Sequence, residues 1–405
     1  MSLRHLTPAY SPVSLRSLQA GARAAAGFPS PGDGLAEQLG TRLGARRVVL
    51  LDSCTAALRT AIATCQAAKP GAPVGLPAWA CYDVVSAAMG AAAPMAFYDL
   101  DPTTLLPAPG SLTALAALKP ACVVVVHAYG VPVDVSAVRQ AVGGDVPIVE
   151  DAAQGWGGAR DGQGLGSSGD FSTFSFGRGK GITGGRGGAL VVLSERGQAL
   201  ARDIEAGSAN AGWRDIEVAG ALWTLGRPEL YGIPSAMPWL HLGETVYQPP
   251  RPVGAMSRAA RAMVAASLAD ADAEATHRRE TAAKLRAIVA SLALVSNVSV
   301  TSGVTPSWLR LPIILQDAAT AARLLAEGRS LGIAGPYPRD LPAVAQEVRG
   351  NVMHAGSVSG ARALASRLVT LPTHSQVVLD DLLRLEALLV RLLGRRPVSA
   401  TAVPA

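Results

Sequence analysis

Lys180 is one of four lysines in a chain that otherwise carries its positive charge on arginine. It lies in the glycine-rich stretch Phe174-Ser-Phe-Gly-Arg-Gly-Lys-Gly-Ile-Thr-Gly-Gly-Arg-Gly-Gly188. A primary amine can lose its proton when desolvated and attack a carbonyl to form an imine, whereas a guanidinium remains a fixed cation. Upstream, Asp151 stands in the polar island Val149-Glu-Asp-Ala-Ala-Gln154. An isolated lysine and a carboxylate on neighbouring elements are the two anchors a pyridoxal phosphate (PLP) site requires, one for the aldehyde and one for the pyridine nitrogen.

Ser53, Cys54 and Thr55, in Leu51-Asp-Ser-Cys-Thr-Ala-Ala-Leu58, fall where a strand runs into a small-residue helix. Free N–H groups and hydroxyls at a helix start can cradle a phosphate, although an ordinary Ser/Thr cap reads the same way. Trp79 follows a presumed strand and could stack on a heteroaromatic ligand or simply pack in the core. His127 ends the strongest apolar run and is either a hydrogen-bonded structural residue or a substrate ligand. Glu150 and Asp151 are adjacent in a strand, so they point to opposite faces, which disfavours a paired-carboxylate glycosidase site. Lys180 itself could be a surface lysine in a hairpin, but the surrounding glycines suggest close approach of backbone to a ligand.

Other chemistries are excluded by missing residues. A P-loop needs a glycine where Phe174 stands and Ser or Thr where Gly181 stands. GxSxG, HExxH and a GxGxxG after the first strand are absent. Cys54, Cys65, Cys81 and Cys122 have wide, unrelated spacings, so free thiols are expected, with no metal site and no disulfide framework.

The elements that must position these residues show as short β-branched runs alternating with Ala/Leu-rich stretches from about 47 to 205. The runs are Val48 to Leu51, Met95 to Tyr98, Cys122 to Val126, Ile148 to Val149, Ser172 to Ser175 and Ala189 to Val192. This order predicts an α/β fold with a mostly parallel sheet sandwiched by helices, its ligands collecting at the strands' carboxyl ends. Residues 212–252, rich in Trp, Tyr, Pro and Gly, read as an ordered excursion over the site or a partner subunit. Ser257 to Leu294 reads as one long helical stretch. A strand region near Ser307 to Leu315 and helices near Ala318 to Leu331 and Leu379 to Leu393 complete a smaller C-terminal α+β domain. The expected divisions are an N-terminal segment 1–45, a large domain 46–255, the long helix and small domain 256–395, and a tail 396–405.

Composition narrows the class further. With 16% charged and 49% hydrophobic residues the chain describes a packed enzyme rather than a disordered protein. The net charge of +6 is scattered without a basic block, so no nucleic-acid partner is expected. The start of the chain has no apolar signal region and no apolar run could span a bilayer, which makes a soluble cytoplasmic protein the expectation.

The ordered motifs Ser53 to Leu58, Leu76-Pro-Ala-Trp-Ala-Cys81, Tyr98-Asp-Leu-Asp101, His127-Ala-Tyr-Gly130 and Glu150 to Gln154 resemble the DegT/DnrJ/StrS-type sugar aminotransferases, PLP enzymes of fold type I. The resemblance continues through Gly169-Asp-Phe171, Phe174-Ser-Phe176, Lys180 and Gly184-Gly185 to Leu371-Pro-Thr-His374. It implies that Lys180 holds PLP as an imine and that Asp151 pairs with the pyridine nitrogen. Gln154 would contact the phenolic oxygen, Ser175 and the turn Ser53 to Thr55 the phosphate, and Trp79 the ring. It also implies a homodimer and transfer of an amino group from a donor such as glutamate to a nucleotide-linked keto sugar. Dehydratases of the family carry histidine at the lysine position, so Lys180 favours transamination. A non-catalytic binding member and a PLP enzyme acting on a non-sugar ketone are the alternatives. Three positions depart from the pattern. Cys54 stands where the family has glycine, Arg186 replaces the acid of the glycine hairpin, and no Asn-Tyr-Arg segment occurs near residues 247–256. Arg310, in Trp308-Leu-Arg-Leu-Pro312, is a candidate for a donor carboxylate or substrate phosphate, or a structural arginine.

Overall fold

A computed structural model describes residues 4–202, 204–237, 245–354 and 356–397. The β-branched runs become strands because their side chains fill both faces of a buried sheet, as parallel strands under two helical layers require. In chain order the strands are β1 (Arg47–Leu51), β2 (Val74–Pro77), β3 (Met95–Tyr98), β4 (Cys122–Val126), β5 (Ile148–Asp151), β6 (Ala159–Arg160), β7 (Gln163–Gly164), β8 (Phe171–Ser175), β9 (Gly188–Val192), β10 (Val295–Asn297), β11 (Val304–Thr305), β12 (Leu311–Leu315), β13 (Val352–His354) and β14 (Leu368–Leu371).

Eight of them form one sheet in the order β1-β9-β8-β5-β4-β2-β3-β13. Only β9 runs against its neighbours, pairing antiparallel with both β1 and β8. The carboxyl ends of β1, β5 and β8 therefore share one edge, and Ser53, Asp151 and Ser175 are brought to it. A second, antiparallel sheet, β10-β12-β14, packs with the helices Leu268–Ala290, Ala318–Gly328 and Leu379–Leu393.

One expectation is corrected. The stretch Ser257 to Leu294 is two helices, Arg258–Ala266 and Leu268–Ala290, broken at the fully buried Ser267. No glycine or proline marks that break, so the sequence pattern runs through it. Residues 212–252, expected as an ordered excursion, include the helix Trp213–Leu225 and a short turn of helix, Gly232–Ser235; residues 238–244 lie outside the described residues. From the C-terminal part of the chain, β13 pairs parallel with β3 at the edge of the large sheet.

Candidate active site

The helix Cys54–Ala68 begins directly after β1, with Ser53 as its cap: Ala56 N–H donates to Ser53 Oγ at 3.1 Å. Its start is pressed against the β8–β9 hairpin. Ser53 bridges Gly187, and a Cβ at Gly188 would lie 2.5 Å from both Cys54 N and Ser53 C, so only a glycine permits this approach. Gly188 is the register partner of Ser175, which places the Ser175 hydroxyl on the strand beside the helix start. Burial pushes the Cys54 thiol well above its usual range, reinforced by the Asp151 charge and opposed by a hydrogen bond with Thr173. Ser53 Oγ itself donates to Asp52 Oδ1 at 3.2 Å, so the donors that could meet a phosphate are the N–H groups at the positive end of the helix and the hydroxyls of Thr55 and Ser175.

Asp151 ends β5 and is buried. Its Oδ1 accepts the Ala153 N–H at 2.9 Å, and among the described residues it has no ion-pair partner within 4 Å. Burial raises its carboxyl above the ordinary range, against the pull of the Ala153 N–H and the Lys180 charge. The same Lys180 charge acts on the Cys54 and Cys81 thiols, opposing the rise that burial imposes on both. A buried carboxylate with one N–H donor is short of a cation, and a protonated pyridine nitrogen supplies one.

Lys180 lies outside any strand or helix, after Gly179 in the left-handed region at φ 68°. Its peptide is held by Ser11, whose Oγ donates to Lys180 O at 2.8 Å and accepts Lys180 N–H at 3.0 Å. Nothing near Ser11 in the sequence announces this contact, because 169 positions separate the two residues.

Gln154 is set by its two ends: Oε1 accepts Tyr129 N–H at 2.6 Å and Nε2 donates to Tyr337 Oη at 2.9 Å. One amide hydrogen is left, enough for a phenolic oxygen. Tyr129 occupies the left-handed region at φ 53°, a conformation that costs a tyrosine energy and that the Gln154 bond helps to hold. Trp79 is buried, donates Nε1–H to Tyr337 O at 3.0 Å and packs edge-on to the Tyr337 ring at 5.2 Å. Arg310 sits half-buried, 5.3 Å over the Tyr129 ring. Its charge opposes the burial that pushes Tyr129 up to about 12. Tyr129 and Tyr337 join this wall without having been singled out from sequence; Tyr129 lay inside the quoted motif His127 to Gly130, whereas Tyr337 had only its Gly and Pro neighbours as a signal.

His127 is corrected. It is buried, its Nε2 meets Glu150 Oε2 at 2.9 Å and its Nδ1 accepts Val133 N–H at 3.1 Å. Both ring nitrogens are engaged within the protein, so none is left for a substrate. Burial alone would raise the Glu150 carboxyl, but the His127 hydrogen bond and the N–H groups of Gly169 and Ser168 bring it below its ordinary range. Glu150 and His127 are a strut on the face of β5 opposite Asp151.

A polar cavity of about 230 Å³ borders the start of the helix Cys54–Ala68, lined by Asp52, Arg186, Asn210, Asp215 and Ser257 among others. Arg186 faces Asp52 there, where its charge counters the rise that burial imposes on that carboxyl.

The arrangement is matched in known proteins. Residues 32–389 fit the model of the DegT/DnrJ/EryC1/StrS aminotransferase family. The chain belongs to this family. PLP is the cofactor of its aminotransferases, and the buried, cation-poor Asp151, the neighbouring Lys180 and the donor-lined helix start fit that group. Over 163 residues the chain is 34% identical to the L-glutamine:2-deoxy-scyllo-inosose aminotransferase of Streptoalloteichus tenebrarius, a match covering 40% of this chain and 38% of that protein. The matched stretch thus spans well under half of this relative. The whole fold is shared with a DegT DnrJ EryC1 StrS aminotransferase from Brucella abortus, at a TM-score of 0.70 and 21% identity over 94% of this chain and 96% of that one. It is also shared with the E. coli GDP-4-keto-6-deoxy-D-mannose-3-dehydratase with bound hydrated PLP, at a TM-score of 0.73 and 17% identity over 96% of this chain and 100% of that one. Among the described residues no helix is long and apolar enough to cross a membrane.

Proposed function

We propose that this protein is a PLP-dependent aminotransferase that moves an amino group from an amino-acid donor, glutamate or glutamine, to the keto carbon of a polyhydroxylated ring, either a nucleotide-linked keto sugar or a free cyclitol ketone. The observation that carries this reading is Asp151, a desolvated carboxyl group with no ion-pair partner among the described residues, set within the electrostatic reach of Lys180.

When bound, PLP supplies an electron sink for the carbanion left at the substrate's reacting carbon. Asp151 would accept the N–H of the pyridine nitrogen and so keep that nitrogen protonated. Lys180 would hold the cofactor through its amine and would serve as the base that carries a proton at the substrate's reacting carbon. The turn Ser53, Cys54 and Thr55 together with Ser175 would hold the phosphate, Gln154 would offer its remaining amide hydrogen to the phenolic oxygen, and Trp79 would help to shape the wall beside the ring. Arg310, half-buried over the Tyr129 ring, would receive a carboxylate of the donor or an anionic group of the acceptor.

Lys180→Ala is expected to abolish the visible absorbance of bound cofactor and the half-reaction with amino donor; a variant that keeps both refutes the assignment. Conversion of the cofactor to its pyridoxamine form by added donor separates transamination from a dehydratase reaction, and a panel of keto sugars, keto cyclitols and keto acids then identifies the acceptor class. A homodimer is part of the same reading. It is supported by the exposed Trp213, Ile233, Val246 and Val253, which lie in the segment flanking the cavity beside the phosphate cradle. Light scattering tests it, and a fully active monomer would contradict it.

A further inference from the structure

The loop that carries Lys180 has no ladder of its own at that residue, yet both polar groups of the Lys180 peptide are satisfied by the single hydroxyl of Ser11. Ser11 is buried and belongs to an N-terminal strap that is tied at several points to the C-terminal part of the chain. Leu6 N–H donates to Ser330 O at 3.0 Å, His374 Nε2 donates to Thr7 O at 2.8 Å, and Tyr10 O accepts Arg278 Nη2 at 2.5 Å. Arg278 is itself fully buried and ion-paired with Glu274. The strap is therefore fixed from behind by the small domain while its Ser11 grips the loop in front.

We infer that Ser11 is a positioning residue for Lys180, fixing the peptide from which the reactive amine swings. This rests on the proposed role of Lys180 as cofactor anchor. The physical reason is that a lysine which must reach first the cofactor and then the substrate's carbon needs a fixed Cα. A loop flanked by glycines, with Gly177, Gly179 and Gly181 around it, does not provide one by itself. One hydroxyl acting as donor and acceptor on the same residue locks that peptide in place.

The test uses Ser11→Ala, which removes both hydrogen bonds, and Ser11→Cys, which keeps the volume but weakens them. Hydrogen–deuterium exchange is followed on the apoprotein over residues 176–184, independently of any cofactor. Absorbance-monitored pH titration of bound PLP and the half-reaction rate are followed on the holoenzyme. The expected result is roughly tenfold faster exchange in that loop for Ser11→Ala. The cofactor's titration midpoint should shift and the half-reaction slow by about tenfold, with Ser11→Cys lying between wild type and Ser11→Ala. If Ser11→Ala does not fold, Ser11→Cys reads the same quantities. Exchange, titration and rate all equal to wild type in a folded variant overturn the inference. Failure of the wild type to bind PLP would instead defeat the cofactor reading, and the exchange result would still report on the clamp.

Discussion

Asp151 illustrates what a single side chain can reveal. Its position at a strand end was legible, because a polar residue closing an apolar run at a carboxyl end is where ligands gather. The opposite facing of Glu150 was legible from strand alternation as well. What the sequence could not show is that Glu150 and His127 occupy one another, so His127 was open to a substrate role until its two ring nitrogens were found engaged. Asp151→Asn keeps the shape and removes the charge. The half-reaction rate should fall by about 10²-fold or more, the scale of losing one preorganised electrostatic partner, while Lys180 still captures the cofactor. A half-reaction within threefold of wild type would argue against the pyridine pairing. The pH dependence follows from the raised carboxyl. In the apoprotein the folded state holds the Asp151 proton more tightly than the unfolded chain does, so stability is lost as pH rises from the ordinary aspartate range through the raised value. A bound cation removes that cost. The gain in Tm on adding PLP should therefore grow with pH across that window in wild type and stay flat in Asp151→Asn, as read by thermal melts.

At the scale of elements, the strands were legible because β-branched runs mark them, and β3 and β4 match the expected bounds at both ends. The helix Trp213–Leu225 was missed for a physical reason. It buries only Asp215 and Ala219 and leaves Trp213 and Leu225 exposed, so no apolar stripe announces it. The meeting of the helix start with the β8–β9 hairpin was also illegible, since it depends on which strand pairs with which. Gly188 makes that meeting possible. Gly188→Ala would drive a methyl into the backbone of Ser53 and Cys54 and separate the Ser175 hydroxyl from the helix N–H groups. A loss of about 1–3 kcal/mol in stability is expected, together with weaker PLP binding. Thermal denaturation and cofactor titration measure the two. Unchanged affinity in a destabilised Gly188→Ala protein would place the phosphate elsewhere.

Across the whole molecule, the N-terminal strap links the loop of Lys180 to the C-terminal part of the chain, and one of its anchors is the late motif Leu371 to His374. The sequence marked this motif by resemblance alone; the structure supplies its physics. Thr373 Oγ donates to Trp308 O at 2.6 Å, beside Arg310, and His374 donates to the strap at Thr7 O. His374 is fully buried, and that burial pushes its ring down to about 4. The Thr7 carbonyl and Glu274 favour the charged ring, whereas Arg278 and His277 oppose it. The folded protein thus keeps this ring neutral at pH values where the unfolded chain, with an ordinary histidine near 6.5, already binds a proton. Stability is then fully present above the ordinary histidine range and is lost as pH falls toward about 4. Between pH 7 and pH 5 the loss attributable to His374 is on the order of 1–2 kcal/mol. His374→Gln can keep a donor to Thr7 O without the titration. It should be less stable than wild type at pH 7, yet lose less of its urea midpoint on acidification to pH 5. Equal acid losses in the two proteins would show that the strap's anchor is not what titrates.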